Sequence, residues 1–477
     1  MKKYVALLFL LGNCYSTYCQ TIDYSVEGGA FLSGTTTPFW QYANQNGEVS
    51  RSQATSLWAK STLRKSYATD SLGNNKLIDW GGGATGILSM SNQSTAFLAQ
   101  LYAQLKIWKI ELSVGRRYEQ IGLVDQSLSS GNFSFSNNAL PIPKIQLASM
   151  GFVDVPLTKR LLSFRFNYMD GQLGETPVNP FGVNLLIKDT YLHQKSLYGR
   201  FGKPHWKLKL FGGFCHQVMW GGEYQIWPNN FDLTQKERYW GVVSGGSWQS
   251  SRIGNHVANL DVGFSYRFPH FDLMFYRQSL VEDGALYRGL SNIVDGLNGL
   301  SIDFKQTTTR KITLEKGVME ILYTYSQGGD VFDYANGIFG KNNYFNHYVY
   351  LTGWSYQGRT LGTPFIMPTT DTRADLKKIN KEPFTNNNRL FLLHLALKGK
   401  AFDKYTFLTK LSFSKNAGIY DFPFPNGTNQ FSGFLEVRTK KKWLGGCELM
   451  GSAAIDVGKL VPNQVGIYVG IRKQGHF

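Results

Sequence analysis

Val465-Gly466-Ile467-Tyr468-Val469-Gly470-Ile471-Arg472-Lys473-Gln474-Gly475-His476-Phe477 closes the chain. Val465, Ile467, Val469 and Ile471 occupy every second position, and Gly466, Tyr468, Gly470 and Arg472 fill the gaps. Such a strand is apolar on one face and polar on the other, and it stops on an aromatic, as the closing strand of a bacterial outer-membrane barrel does. A soluble β-sandwich can also end on an alternating strand, so the rest of the chain has to decide between them.

The opposite end addresses the compartment. Lys2 and Lys3, the apolar run Tyr4 to Leu11, and a small or polar stretch ending at Thr17, Tyr18 and Cys19 have the three-part layout of a secretory leader. Residues 1–19 are expected to be removed, with cleavage before Gln20, leaving 20–477 as one domain. The apolar run is far shorter than the roughly 20 residues of a spanning helix. Neither Leu11-Gly12-Asn13 nor Thr17-Tyr18 is a convincing lead-in to lipidation at Cys14 or Cys19. Two cysteines remain, Cys215 and Cys447, which allow at most one disulfide, so stability must come from elsewhere.

Composition points to strands. The 477 residues include 33 Phe, 26 Tyr, 11 Trp and 51 Gly but only 15 Pro, and the mean hydropathy is slightly negative despite the aromatics. After the leader no segment is long and apolar enough for a membrane helix; Arg389 to Lys400 comes nearest, but it is short and carries His394. A bilayer crossing must therefore be made by a closed barrel, each strand taking roughly 9 to 11 residues with alternate side chains facing lipid and lumen. Phe97, Ala99, Leu101, Ala103, Leu105 and Ile107 fit that template, as do Leu260 to Phe268, Tyr405 to Phe413 and Phe431 to Val437. With weaker runs, about 18 to 19 candidate strands emerge, and because single-chain barrels use even numbers the expectation is 18, with 16 as the alternative. Tyr102, Trp108, Tyr168, Trp206, Tyr276 and Trp443 are candidates for interfacial girdles. Long irregular stretches, Tyr118 to Pro143, Met169 to Gln194, Gly221 to His256, Val281 to Leu300 and Gly358 to Asn387, suit external or lumen-filling loops.

No H-E-x-x-H, C-x-x-C, G-x-S-x-G or phosphate-loop motif occurs. His394 shares a strand face with Leu390 and Leu392 and reads as structural. Acid pairs such as Glu282 with Asp295, or Asp330 with Asp333, are too common to mark a glycosidase. An enzyme is not expected, and neither is a metal or cofactor. The formal charge of +17 falls only to +15 when Lys2 and Lys3 leave. That balance suits an anionic neighbour such as acidic polysaccharide or lipopolysaccharide phosphate, or else a basic lumen with no specific ligand. Nucleic acid is an improbable partner for an exported barrel.

Several segments together resemble the Wzi family of capsule assembly proteins in its Bacteroidetes form: Thr37-Pro38-Phe39-Trp40, Leu128-Ser129-Ser130-Gly131, Pro141-Ile142-Pro143, Glu282-Asp283-Gly284, Asp295-Gly296-Leu297, and Tyr344 to Pro364. The resemblance implies an occluded barrel of about 18 strands with a helical element plugging the periplasmic side. It also implies a lectin that holds capsular polysaccharide at the cell surface without chemistry, working as a monomer beside outer-membrane lipid, lipopolysaccharide and the export machinery. Leu140 stands where the family pattern has a basic residue.

Sugars stack their C–H faces on aromatic rings while guanidinium groups and carboxylates meet their polar substituents. Trp354, Tyr356 and Arg359 have that mixture and are candidate polysaccharide contacts. Glu282, Asp283 and Asp295 either accept hydroxyl protons or lock a Gly-rich loop. Arg116 and Arg117 follow a strand end and either meet an acidic group or are merely solvated. Trp220, before Gly221 and Gly222, is either a stacking platform or an interfacial turn residue. The competing function is a porin or solute channel, which needs an open polar lumen.

Overall fold

The computed structural model describes residues 22–52, 54–68, 76–179, 182–249, 251–282, 286, 289–305, 311–333, 335–377, 383–441 and 444–477. The leader with Cys14 and Cys19, the candidate Asp283 and the girdle candidate Trp443 lie outside the described residues.

Eighteen antiparallel strands close into a barrel. In chain order they are β1 Ile22–Ser33, β2 Ser56–Lys65, β3 Ile78–Met90, β4 Thr95–Ile107, β5 Ile110–Arg116, β6 Lys144–Ser149, β7 Leu162–Val178, β8 Leu185–Phe201 and β9 Leu208–Trp220. There follow β10 Asn255–Arg267, β11 Phe271–Val281, β12 Gly296–Phe304, β13 Ile312–Tyr323, β14 Leu390–Ala401, β15 Tyr405–Asn416, β16 Asn429–Lys441, β17 Cys447–Gly458 and β18 Gln464–His476. A short continuation of β6, Val153–Asp154, pairs with the same neighbour, β7. Closure is made by β1, which pairs with β2 on one side and with β18 on the other. At the seam Phe477 donates its N–H to the Ile22 carbonyl at 3.0 Å and its ring lies 4.9 Å from that of Tyr24. The terminal aromatic thus pins the closing strand.

The period of two is realised as expected. Val465, Ile467, Val469 and Ile471 point outward, while Gly466, Tyr468 and Gly470 face the lumen and are buried. On β10, Leu260, Val262 and Phe264 face outward while Asp261 is buried. On β4 the phase slips at a bulge opposite Thr85 and Gly86, so Ala99 is buried and Leu98 is exposed; Ala99 does not share the outer face of Leu101 to Ile107. An extra residue in one strand reverses every side chain beyond it.

Ile22, Phe477 and a set of short turns lie at one rim, and the long loops lie at the other, which corresponds to the extracellular rim of bacterial barrels. The expected loop Met169 to Gln194 is instead mostly strand: β7 and β8 have 17 residues each and pair from Leu162 with Phe201 to Val178 with Leu185. At about 3.4 Å per residue they outreach the bilayer, so their upper halves need no apolar outer face and the polar Asp170, Gln172 and Glu175 hid the strand. The girdle expectation also divides by parity. Trp108 and Trp206 are exposed near the short turns, whereas Tyr276 is fully buried on the lumenal face and Tyr102 lies under Arg117; Tyr168, of opposite parity to the buried Met169, shares a hydrogen bond of 2.7 Å with Tyr239 of the helix Gln235–Ser244.

Among the described residues helices are few: α1 Phe39–Tyr42, α2 Glu223–Ile226 and α3 Gln235–Ser244, the last with a capping box made by Thr234 and Glu237. Among the described residues no helix stands at the short-turn end, where the family resemblance led us to expect one. The lumen is filled from the other end, by loop. Cys215 and Cys447 are both free thiols.

Candidate functional site

The described parts of three loops, within 34–55, 117–143 and 324–389, fold inward and meet inside the barrel. An irregular segment in a closed space must find partners for its backbone polar groups, and here the lumenal side chains of the strands supply them. Glu320 of β13 accepts from the Ser129 hydroxyl at 2.7 Å, from the Ser130 N–H at 2.6 Å, and from the Tyr276 hydroxyl. Gln278 of β11 accepts from the Phe133 N–H at 3.1 Å, and Asp456 of β17 from the Phe39 N–H at 2.8 Å. Asp125 accepts from the N–H groups of Ser127 and Leu128 and pairs with Lys316 of β13 at 2.7 Å; burial raises its carboxyl, but these partners outweigh it and hold it below the usual range. His394 uses both ring nitrogens structurally, Nδ1 with Ser412 Oγ at 2.8 Å and Nε2 with the Leu128 carbonyl at 2.7 Å.

The loops also bind one another. Ser136 donates its N–H to the Leu361 carbonyl at 2.7 Å and its hydroxyl to the Gly362 carbonyl at 2.6 Å, and Thr363 N–H reaches the Phe133 carbonyl at 2.9 Å. Asn44 donates to the Ser130 carbonyl at 3.0 Å. The ring of Phe133 packs on Tyr344 and Phe345 at 5.6 and 5.0 Å. A Cβ on Gly362 would stand 2.0 Å from the Phe133 carbonyl, so only glycine permits this approach. The segments that carried the family resemblance, TPFW, LSSG, PIP and Tyr344 to Pro364, are therefore the parts that fill the lumen.

Most of the sequence-selected residues lie in or against this plug. Trp354 is fully buried and donates Nε1–H to the Ser134 carbonyl at 2.7 Å. Tyr356, also buried, accepts from Arg116 Nη2 at 2.9 Å; burial raises its phenol, and the guanidinium only partly offsets this. Arg359, on the opposite arm of the short hairpin Ser355–Tyr356 with Arg359–Thr360, lies over the Tyr42 ring at 4.9 Å and donates to the Val49 carbonyl; burial lowers its pKa. Trp354 and Tyr356 therefore adjoin Arg116 and Arg359 but present no ring to solvent. Asp295 accepts from the N–H groups of Ser326 and Gln327 and from the Tyr344 hydroxyl, at 3.0, 2.7 and 2.8 Å, and burial raises its carboxyl. Glu282 accepts from the Phe345 N–H at 3.1 Å. These two acids hold neighbouring residues of one segment.

Arg117 and Trp220 belong elsewhere. Arg117 reaches into the short-turn half of the lumen and pairs with Glu111 at 2.5 Å and Glu119 at 2.8 Å. Burial raises Glu119, but Lys144 and Arg117 prevail and keep it below the ordinary range. Trp220 ends β9 and packs against Tyr191, with the Arg238 guanidinium 5.0 Å over its ring.

Exposed aromatics at the long-loop rim were not singled out by sequence. Tyr348 is 69% exposed and stacks on His347 at 4.8 Å; Trp240 on α3 is 53% exposed. Tyr348 sits inside the quoted block, but nothing in a loop sequence tells an outward ring from an inward one. His347 Nδ1 accepts the N–H groups of Val349 and Tyr350 at 3.1 and 3.2 Å, and burial lowers its pKa to about 4.

The family model described as Capsule assembly protein Wzi matches residues 22–376, well over half of the chain. Among solved structures, the fold is similar to Wzi of Escherichia coli, described as an outer membrane protein involved in group 1 capsule assembly and a carbohydrate binding β-barrel. The two are 16% identical, with 94% of this chain and 84% of that one covered and a TM-score of 0.58. OccAB2 of Acinetobacter baumannii (11% identity, 96% and 98% covered, TM-score 0.49) and OccK5 of Pseudomonas aeruginosa (9%, 96% and 98%, 0.47) are more distant barrels. No curated protein matches the chain. With a family model covering most of a closed 18-stranded barrel whose family segments fill the lumen, the chain belongs to the Wzi family of capsule assembly outer-membrane proteins.

Proposed function

We propose that this barrel is a lectin-like attachment protein that helps hold or assemble capsular polysaccharide at the cell surface and performs no chemistry. The observation that carries the reading is the occupied lumen. Loops bonded to Glu320, Gln278, Asp456 and His394 leave the protein a braced surface for holding a polymer rather than a route for passing one. His394, the histidine with the strongest claim to chemistry, spends both nitrogens on Ser412 and Leu128.

In this reading the contacts divide into two tiers. Tyr348 and Trp240 offer exposed rings to sugar C–H faces. Trp354, Tyr356, Arg359, Arg116, Glu282 and Asp295 shape the surface from below, and Trp220 joins them at a loop margin. Lipopolysaccharide surrounds the rim, and the export machinery is the source of the polymer. Deleting the gene in its host and measuring polysaccharide in the cell-bound and shed fractions tests the reading. Release of intact polymer with unchanged total synthesis is the expected result. An unchanged distribution, with ion conductance by the purified protein in planar bilayers, would establish a channel instead.

A further inference from the structure

Below the plug lies a cavity of about 170 Å³, whereas the packed loops leave only about 10 to 30 Å³ beside Phe39, Asn44 and Tyr118. A liquid water takes about 30 Å³, so the cavity has room for about five waters or one compact polar ligand. Its wall comes from the start of β5, the end of β6, the early part of β7 and the late part of β8, with Arg117 to Ile121 of the descending loop as its roof. Strand direction puts all of these in the short-turn half of the lumen, on the opposite side of the plug from Tyr348 and Trp240.

The polar groups of this wall are unbalanced in a specific way. Gln146 is 2% exposed, and its Nε2 donates to Glu119 Oε1 at 2.6 Å; since a carboxylate only accepts, the amide orientation is fixed and Oε1 is left with no partner. Gln120 Nε2 donates to the Asp125 carbonyl at 3.1 Å, which leaves its Oε1 unpartnered for the same reason. Asn167 Oδ1 also has none. Three acceptors thus lack donors on one cavity wall, although buried polar atoms are ordinarily satisfied.

Arg165, on the same wall, is the converse. Arg117 is neutralised by Glu111 and Glu119, but Arg165 has no carboxylate at ion-pair distance among the described residues. It donates to the Gly122 carbonyl at 2.8 Å and lies between the rings of Phe152 and Tyr198, at 5.4 and 5.0 Å. The acid that influences it, Asp261, lies beyond ion-pair reach and accepts from Tyr198 and Gln278. A partly buried guanidinium without a counter-ion favours an incoming anion.

We infer that this cavity is a second saccharide site, beneath the plug, which takes a small hydroxylated carboxylate of the hexuronate class. The carboxylate sits on the Arg165 guanidinium, hydroxyl protons go to the amide oxygens of Gln146, Gln120 and Asn167, and the buried Ile121 side chain on the roof offers an apolar face. The choice of a sugar rests on the polysaccharide-binding reading; the need for an anion and for donors rests on the cavity alone.

The test is saturation-transfer NMR on the full-length protein in detergent, with sodium D-glucuronate and D-glucose as probes, on the native chain, Arg165→Gln and Asn167→Leu. Native protein is expected to transfer saturation to glucuronate well above glucose. Arg165→Gln should weaken the glucuronate signal roughly tenfold, the loss of one charge-assisted contact. Asn167→Leu, a near-isostere that replaces the unpartnered amide oxygen with a methyl group, should also weaken transfer to glucuronate while heat-modifiable gel mobility stays native. Absence of transfer from the native protein, or transfer unchanged in both variants, overturns the inference. Capture of polysaccharide purified from the host surface, measured on the same samples, separates the two readings: polymer bound without Arg165-dependent glucuronate transfer leaves the surface lectin standing and removes this site.

Discussion

The barrel wall and its plug are built on opposite rules. In the wall, each residue's environment follows from parity: Val469 faces lipid because Tyr468 and Gly470 face the lumen, and the backbone is satisfied by neighbouring strands. In the plug no period exists, and each loop is held by particular side chains such as Glu320, Asp295 and the Trp354 indole. The wall is redundant and tolerant, whereas the plug depends on single contacts. Damage to the plug should therefore change what the barrel holds without changing whether it is a barrel.

The sharpest way to break that distinction is Trp354→Ala. Removing a fully buried Trp costs about 3 to 5 kcal/mol, which should fall on the plug: ion conductance should appear in planar bilayers and protease should cut within Tyr344 to Pro364, with heat-modifiable mobility kept. Adding Arg359→Ala should weaken glycan retention further; loss of barrel mobility instead would show that plug and wall fold as one unit. The opposite damage is Val469→Arg, a charge on the lipid face costing about 2 to 4 kcal/mol near the midplane. It should lower the folded fraction on semi-native gels.

A smaller lesion is Glu320→Gln, which turns an amide N–H₂ toward donors and costs about 1 to 3 kcal/mol. Proteolysis of the 117–143 loop should accelerate while the wall stays intact. His347 sharpens the comparison by pH. Unfolded histidine titrates near 6.5 but in the folded turn only near 4, so between these values the opened turn binds more protons and stability falls as the pH falls. Above about 6.5 the contribution is complete, and below about 4 no further loss follows. Protease sensitivity around Phe345 to Tyr350 should rise across that window, and His347→Gln, which keeps an acceptor but cannot titrate, should flatten the rise. Last, Tyr348→Ala with Trp240→Ala should shift stability by no more than about 0.5 kcal/mol yet reduce polysaccharide captured by the purified protein.

How much of this was legible follows the same division. The closing strand and the strands at Leu260, Tyr405 and Phe431 could be read because lipid on one side and the lumen on the other impose a period of two. The β7–β8 hairpin escaped because its upper half leaves the bilayer, and Tyr276 was misread because it lies in the middle of β11 on the lumenal face, where an aromatic looks the same in sequence as one on the outer face. At the site, Trp354, Tyr356 and Arg359 could be picked as a group, but that Arg116 joins them and that they are buried against Ser134, Tyr42 and Val49 was invisible, since those partners are up to 317 residues away.

By itself the sequence determined the barrel, a strand number near 18, the alternation of its two faces and the family whose segments it carries, because each is encoded in neighbours one or two residues apart or in short linear motifs. Only the tertiary structure decided that those motifs are the plug, that the rings picked for sugar are interior while Tyr348 and Trp240 are exposed, and that Arg165 has no counter-ion among the described residues and shares its wall with unpartnered oxygens. These depend on which distant side chains satisfy which loop, and a closed lumen makes that choice for the whole chain at once.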